Sequence, residues 1–366
     1  MKLICDGLDL SDAVLKVSKA LSVKSANPVL EGIKITAKGD TLTLLATDTE
    51  LTIEKKIHAD ILMEGETVVV GKYFVEFVKK LEKEKIELTF INEGGLQIKY
   101  ADSISQLQVY PTENFPVIEK DINGDYFELT QKEFKEIANH TSFACSVDDS
   151  RPILKGCLYE IENGVLTSVA LDGFRMAVVK KEVKASGDFK VVIPSRTLQE
   201  ITRLLDDDNE TLKVILNNNV LFIEIKDTTI ISRLIEGEFV KYNHILPKGF
   251  ENSLTVNKNA LLQSIERASI VAKNDRFNIV KFDIKENLLT VSAKSEIGNV
   301  NENVPINLKG KDLVIAFNGK YISEFLKIIE EDFVTINLNT QIDPAIIKPV
   351  GKEDFIYLVM SVRINV

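Results

Sequence analysis

The chain has 366 residues, more than one core of roughly 250–300 residues supports, and its 45% hydrophobic content is ordinary for a globular protein. Net charge is −10, three cysteines (Cys5, Cys145, Cys157) show no CxxC spacing, and no apolar run nears the roughly 20 residues of a membrane span. These features argue against a disulfide scaffold, a cysteine metal centre and a membrane protein. The opening Met1-Lys2-Leu3-Ile4-Cys5-Asp6 has no apolar leader core, which predicts a cytoplasmic protein.

Apolar spacing predicts a first helix over about Ser11 to Leu21, with Leu10, Ala13, Val14 and Val17 on one face and Pro28 ending it. Strands are expected over Leu30–Ala37, Leu42–Ala46 and Leu51–Ile57, with a turn at Lys38-Gly39-Asp40. A second helix is expected over Lys72–Glu82, then strands Ile86–Phe90, Leu96–Tyr100 and Ile104–Val109. Thr130-Gln131-Lys132-Glu133 has the form of a capping box opening a third helix, whose face is Phe134, Ile137, Ala138 and Thr141. Glu162-Asn163-Gly164 predicts a hairpin turn, and Pro194 a first helical turn. A fifth helix opens near Asn257 with Leu261, Ile265 and Ala268 inward, and a sixth at Asn318-Gly319-Lys320.

The helices repeat. Phe74, Phe77, Val78 and Leu81 recur 124 residues on as Leu198, Ile201, Thr202 and Leu205, and again as Ile322, Phe325, Leu326 and Ile329. Lys72, Arg196 and Lys320 precede these stripes at the same spacing. A period this long is a domain rather than a solenoid unit. Three copies follow, each reading helix, strands, helix, strands, with boundaries near 120 and 248 giving segments 1–120, 121–247 and 248–366.

No constellation of nucleophile, base and orienting group assembles, and neither a phosphate-binding loop nor a dinucleotide fingerprint is present. No cofactor or metal is called for. Asp48 with Glu50 resembles an acid/base pair, but Asp172 stands at the repeat position of Asp48, so the carboxylate is read as a turn cap. Asp206-Asp207-Asp208 is read as a solvated connection, His140 as a packed histidine, and Cys145 and Cys157 as small core residues. The six predicted helices together carry +7, leaving −17 for the rest of the chain. Such a split fits helices that share one surface facing a polyanion.

Several segments, in order along nearly the whole chain, resemble the bacterial DNA polymerase III β-subunit (sliding clamp) family. They include Asn27-Pro28-Val29-Leu30-Glu31-Gly32-Ile33, Thr47-Asp48-Thr49-Glu50-Leu51, Arg151-Pro152-Ile153-Leu154-Lys155-Gly156, Asp172-Gly173-Phe174-Arg175-Met176-Ala177, Ser232-Arg233-Leu234-Ile235-Glu236-Gly237 and Tyr357-Leu358-Val359-Met360. The resemblance implies an α+β fold of three tandem clamp-type domains, two helices on antiparallel sheets in each. It implies a head-to-tail homodimer forming a ring around double-stranded DNA, with no chemistry of its own. Implied partners are the polymerase III α subunit, the clamp loader and other proteins with a clamp-binding motif. A divergent paralogue serving only as an interaction scaffold is the alternative.

The family's DNA-contacting positions fall on Lys24, Lys72, Asp148, Pro152, Ile153 and Arg196. Lys24, Lys72 and Arg196 suit phosphate and Lys320 joins them by the repeat; Asp148 does not suit it and Pro152-Ile153 replaces an aromatic pair seen in some members, so these three are not expected as DNA contacts. The client-peptide cleft falls on Leu154, Leu171, Gly173, Phe174, Arg175, Met176, Val240, Ile245, Leu358, Met360, Ser361, Val362 and Arg363. Phe174 stands where histidine is common, Leu171 where threonine is, and Ser361 where proline is; Val240-Lys241 replaces a usual Pro-Asp, and Ile364-Asn365-Val366 runs past the usual end. The dimer edge is expected at Leu107 and Val109 against Ile270 and Val271 of a second copy.

Overall fold

Alternating apolar side chains dominate the chain, and strands dominate the fold. The structure is a computed structural model describing residues 1–81, 84–91, 95–118, 120, 122–206, 208–217, 219–272 and 278–364. Glu82, Lys83, Asp207, Lys273, Asp275, Arg276, Asn365 and Val366, which entered the sequence reading, lie outside the described residues. Two compact units result: residues 1–132, 184–186 and 200–234, and residues 133–183, 187–199 and 235–366.

In the first unit, Leu3 and Cys5 of the strand Lys2–Asp6 are buried. That strand is interior, second in a five-stranded sheet ordered Asp60–Met63, Lys2–Asp6, Lys85–Ile91, Gly95–Tyr100, Ser103–Leu107. Helix α1 spans Gly7–Val17, four residues earlier than the predicted start at Ser11. The cap is Asp6, whose carboxylate accepts from the Leu8 and Asp9 amides at 2.8 and 3.2 Å. The predicted inward face holds, with Leu10, Ala13, Val14 and Val17 buried. The helix tightens into a 3-10 turn at Ser18–Ala20, so Pro28 does not end it; Pro28 opens a separate 3-10 turn, Pro28–Glu31. Helix α2, Gly71–Val78, buries Phe74 and Val78 and packs on α1.

A ten-stranded sheet joins the first and middle copies within this unit. Leu51–His58 pairs antiparallel with Thr228–Arg233, Ile53 opposite Ile230. Each copy's exposed ladder is thereby paired by its neighbour. The predicted strand Ile104–Val109 is broken at Gln108: Ser103–Leu107 ends the five-stranded sheet, while Val109–Tyr110 pairs with Val69 and Val68 of Gly65–Val70 in the ten-stranded one.

Helix α3 spans Gln131–Ser142, and Phe134, Ile137, Ala138 and Thr141 are buried as expected. Between Gly156–Glu162 and Val165–Leu171 the chain reverses at Asn163 (φ 52°) and Gly164 (φ 76°), the two left-handed residues a tight hairpin needs. Pro194 is not a helical residue: it ends the strand Phe189–Pro194 opposite Gly156, and α4 runs Ser195–Leu204. Helix α5 (Lys258–Ala272) packs on α6 (Gly319–Ile328), whose cap Asn318 accepts from the Lys320 amide at 3.0 Å. Among the described residues these six are the α-helices, two in each copy. A twelve-stranded sheet in the second unit joins the middle and third copies by pairing Arg175–Glu182 with Phe355–Val359, Met176 opposite Leu358.

Candidate functional site

The repeat places one cation at the same local position three times. Helices α2, α4 and α6 follow directly on the strands Gly65–Val70, Phe189–Pro194 and Leu313–Asn318, and their second residues are Lys72, Arg196 and Lys320. All three are exposed. Lys72 Nζ lies 5.9 Å from the Tyr73 ring centroid, and Lys320 Nζ lies 3.7 Å from Glu324. Lys24 is exposed in the coil after Ser18–Ala20. A helix start already carries partial positive charge and free amides, so an added cation makes each a candidate anion contact. Other cations on the helices or at their ends also have carboxylates at close range: Lys16 has Asp12, Lys79 has Glu76, Arg203 has Glu200, Lys327 has Glu266 and Arg267 has Glu302. Asp148 accepts from the Ser150 hydroxyl and amide, which lowers its carboxyl pKa and keeps it anionic. Ile153 packs against a core cluster.

The repeated carboxylates are turn caps, as expected. Asp48 Oδ1 accepts from the Glu50 and Leu51 amides at 3.0 and 2.8 Å, and Asp172 Oδ1 from the Phe174 and Arg175 amides at 2.9 and 3.0 Å. Asp206 is bridged to Lys226, and Asp208 accepts from the Glu210 amide. Cys145 and Cys157 are buried with their sulfurs 3.5 Å apart; their shared hydrogen bond and burial hold the Cys145 thiol well above its ordinary pKa, hence unreactive.

The expected cleft residues converge within the second unit. Leu154, Leu171, Met176 and Leu358 pack into one buried cluster with Tyr242, Phe239 and Ile346. Four apolar side chains on segments adjoining that cluster are exposed: Phe174, Val240, Ile245 and Met360. Val240 and Ile245 bracket Tyr242, whose amide donates to the Val240 carbonyl and whose carbonyl accepts from the Ile245 amide. The turn Asp172-Gly173-Phe174 needs Gly173 at φ 94° and lifts Phe174 to 61% exposure, stacked at 6.4 Å on Tyr321. The Phe174 carbonyl accepts from the Met360 amide, and the Ala316 carbonyl from the Val362 amide, which fixes the path of the tail. Ser361 is half-buried and Arg363 exposed. Arg175 is the exception: it is buried and makes its contacts inward. Burial alone would lower its pKa, but Tyr357, Glu324 and Asp172 outweigh that and hold it above the ordinary value.

Of the expected dimer residues, Leu107 is half-buried on the edge strand Ser103–Leu107, whereas Val109 lies in the other sheet. Ile270 is exposed and Val271 half-buried near the end of α5.

Three family models match in tandem: the DNA polymerase III beta subunit N-terminal domain over residues 1–119, its central domain over 128–241 and its C-terminal domain over 243–363. The chain belongs to the DNA polymerase III β-subunit family. It is 32% identical over 365 residues to the beta sliding clamp of Halalkalibacterium halodurans, covering 95% of each chain. The DNA polymerase sliding clamp of Bacillus subtilis superposes with TM-score 0.95 at 27% identity, and the DNA polymerase III beta subunit of Thermotoga maritima with 0.93 at 29%, each over 100% of both chains.

Sequence reasoning missed three residues around the family's cleft positions. Phe143, Tyr321 and Glu324 surround the Arg175 guanidinium, from segments up to 149 residues away in sequence. Tyr321 and Glu324 are three apart on α6, and that spacing was the available signal.

Proposed function

We propose that this protein is the sliding clamp of a replication system. Two copies close head to tail around duplex DNA, and the ring tethers polymerases and other clients without chemistry of its own. The observation that carries this reading is the cation at the second residue of α2, α4 and α6, at one repeat position in a chain that matches a sliding clamp over its whole length. Lys24, Lys72, Arg196 and Lys320 contact phosphates without reading sequence. The three-copy α+β fold supplies similar domains, and Leu107 on its exposed edge strand pairs with the Ile270–Val271 region of the second copy.

The apolar positions around Phe174 and Met360 take a short peptide with a glutamine and one or two large apolar side chains. Such peptides belong to the polymerase III α subunit, the clamp loader and other clients. No helix among the described residues is long and apolar enough to cross a membrane, in keeping with work on cytoplasmic DNA.

The test is retention after loading. A ring held by topology stays on closed circular DNA and slides off the same DNA once linearised, with a solution mass of two chains. A protein that binds client peptides but shows no loader-dependent retention on circles would instead be an interaction scaffold.

A further inference from the structure

Arg175 heads the strand Arg175–Glu182 with 7% of its side chain exposed. Its Nε donates to Asp172 Oδ2 at 3.0 Å, Nη2 to the Phe143 carbonyl at 2.8 Å, and Nη1 to Glu324 Oε2. The guanidinium carbon lies 4.6 Å from the Tyr321 ring centroid and 5.5 Å from that of Phe143. A guanidinium has five N–H donors and no acceptor. Here three nitrogens point into the protein and two rings cover the planar group. Arg175 therefore does not offer its charge to a ligand.

Its partners explain what it does instead. Asp172 holds the Arg175 Nε on one oxygen and the Phe174 and Arg175 amides on the other. Glu324 and Tyr321 are three residues apart on α6, so one helix supplies both the carboxylate that holds Arg175 and the ring on which Phe174 stacks. The Phe174 carbonyl in turn holds the Met360 amide at 2.8 Å. The connection runs from Glu324 through Arg175 and Asp172 to Phe174 and Met360.

We propose that Glu324 is a positioning residue for peptide binding: it fixes Arg175 and thereby the turn that presents Phe174. This rests on the reading of the cleft given above. Without Glu324 the buried guanidinium loses a charged partner, and only ring contacts with Tyr321 still tie the turn to α6. A peptide arriving at Phe174 must then pay to order it, which weakens binding without removing a contact.

The test titrates a labelled synthetic peptide carrying one glutamine and two large apolar side chains into the full chain and its variants. Glu324→Ala should weaken binding about tenfold, as for loss of a hydrogen bond to a charged group. Glu324→Gln keeps an acceptor for Arg175 and should restore most of the affinity. In a double-mutant cycle, Glu324→Ala should add little to Arg175→Lys, because both break one connection. Met360→Ala is the control. If Met360→Ala weakens binding while Glu324→Ala does not, or while the two effects in the cycle simply add, the positioning role is overturned and the cleft stands. If Met360→Ala has no effect either, the cleft reading fails and the proposal with it. Should Arg175→Lys fold poorly, judged by its melting temperature, the Glu324 Ala and Gln pair alone decides: equal losses in both overturn the proposal.

Discussion

His140 and Phe355 stack face to face, their ring centroids 4.5 Å apart and their planes 6° from parallel. Burial of this histidine lowers its pKa below 6.5. On its own helix Glu136 faces Nδ1 at 4.0 Å; from the other elements come Lys352, Glu331 and the Ile328 carbonyl. The native state thus binds a proton less readily than the unfolded chain. This contribution to stability is present above about pH 6.5 and falls as pH drops toward the native-state value. We expect the denaturant midpoint to decline over that window, and His140→Gln to flatten the decline. An identical slope in the variant would remove His140 as its source.

Charge reversal at the helix starts tests the DNA surface. Changing Lys72, Arg196 and Lys320 together to glutamate should cut retention on DNA while the solution mass remains that of two chains. Each cation in contact with phosphate contributes about −0.9 to the slope of log affinity against log salt, so the variant should show a shallower slope. Unchanged retention and slope would mean that these residues do not face the duplex.

Assembly has a separate handle. Among the described residues Ser103–Leu107 is an edge strand with no partner on its outer side, and Ile270 is 67% exposed. Replacing Ile270 and Val271 with glutamate should give monomers by sedimentation at low micromolar concentration. A persistent dimer would move the interface elsewhere.

Peptide binding should respond to the tail. Met360→Ala and removal of residues 360–366 should each weaken a polymerase-derived peptide by at least about tenfold, or about 1.4 kcal/mol. Phe174→His should alter which peptides are preferred without abolishing binding. Indifference to all three changes would place the cleft elsewhere.

Where side chains act through local spacing, the sequence was readable. The inward faces of α1, α3 and α5, the Asn163-Gly164 hairpin and the Asp48 and Asp172 turn caps needed only neighbours a few residues away. Misreadings arose where two local signals competed. Ser11 has the chemistry of a helix cap, but Asp6 reaches the free amides first, so α1 starts earlier. Pro194 suits a first helical turn equally well as a strand end, and pairing with Gly156 decided for the strand. The Val109 misplacement reflects a chain that changes sheets within two residues while its apolar pattern continues. The cleft was legible only as positions inherited from a family. The Glu324–Arg175–Phe143 contacts join segments with no sequence relationship, and periodicity cannot report them.

The cations that open α2, α4 and α6 stand at the wrong end of their helices. The backbone dipole favours negative charge at a helix start, so each cation there costs about 0.3–1 kcal/mol where it is exposed to solvent. A chain optimised only for folding would carry glutamate or aspartate at positions 72, 196 and 320. Neutralising Lys72 to glutamine should therefore raise the melting temperature slightly. The same change should loosen the grip on DNA, so that thermal robustness and DNA retention move in opposite directions.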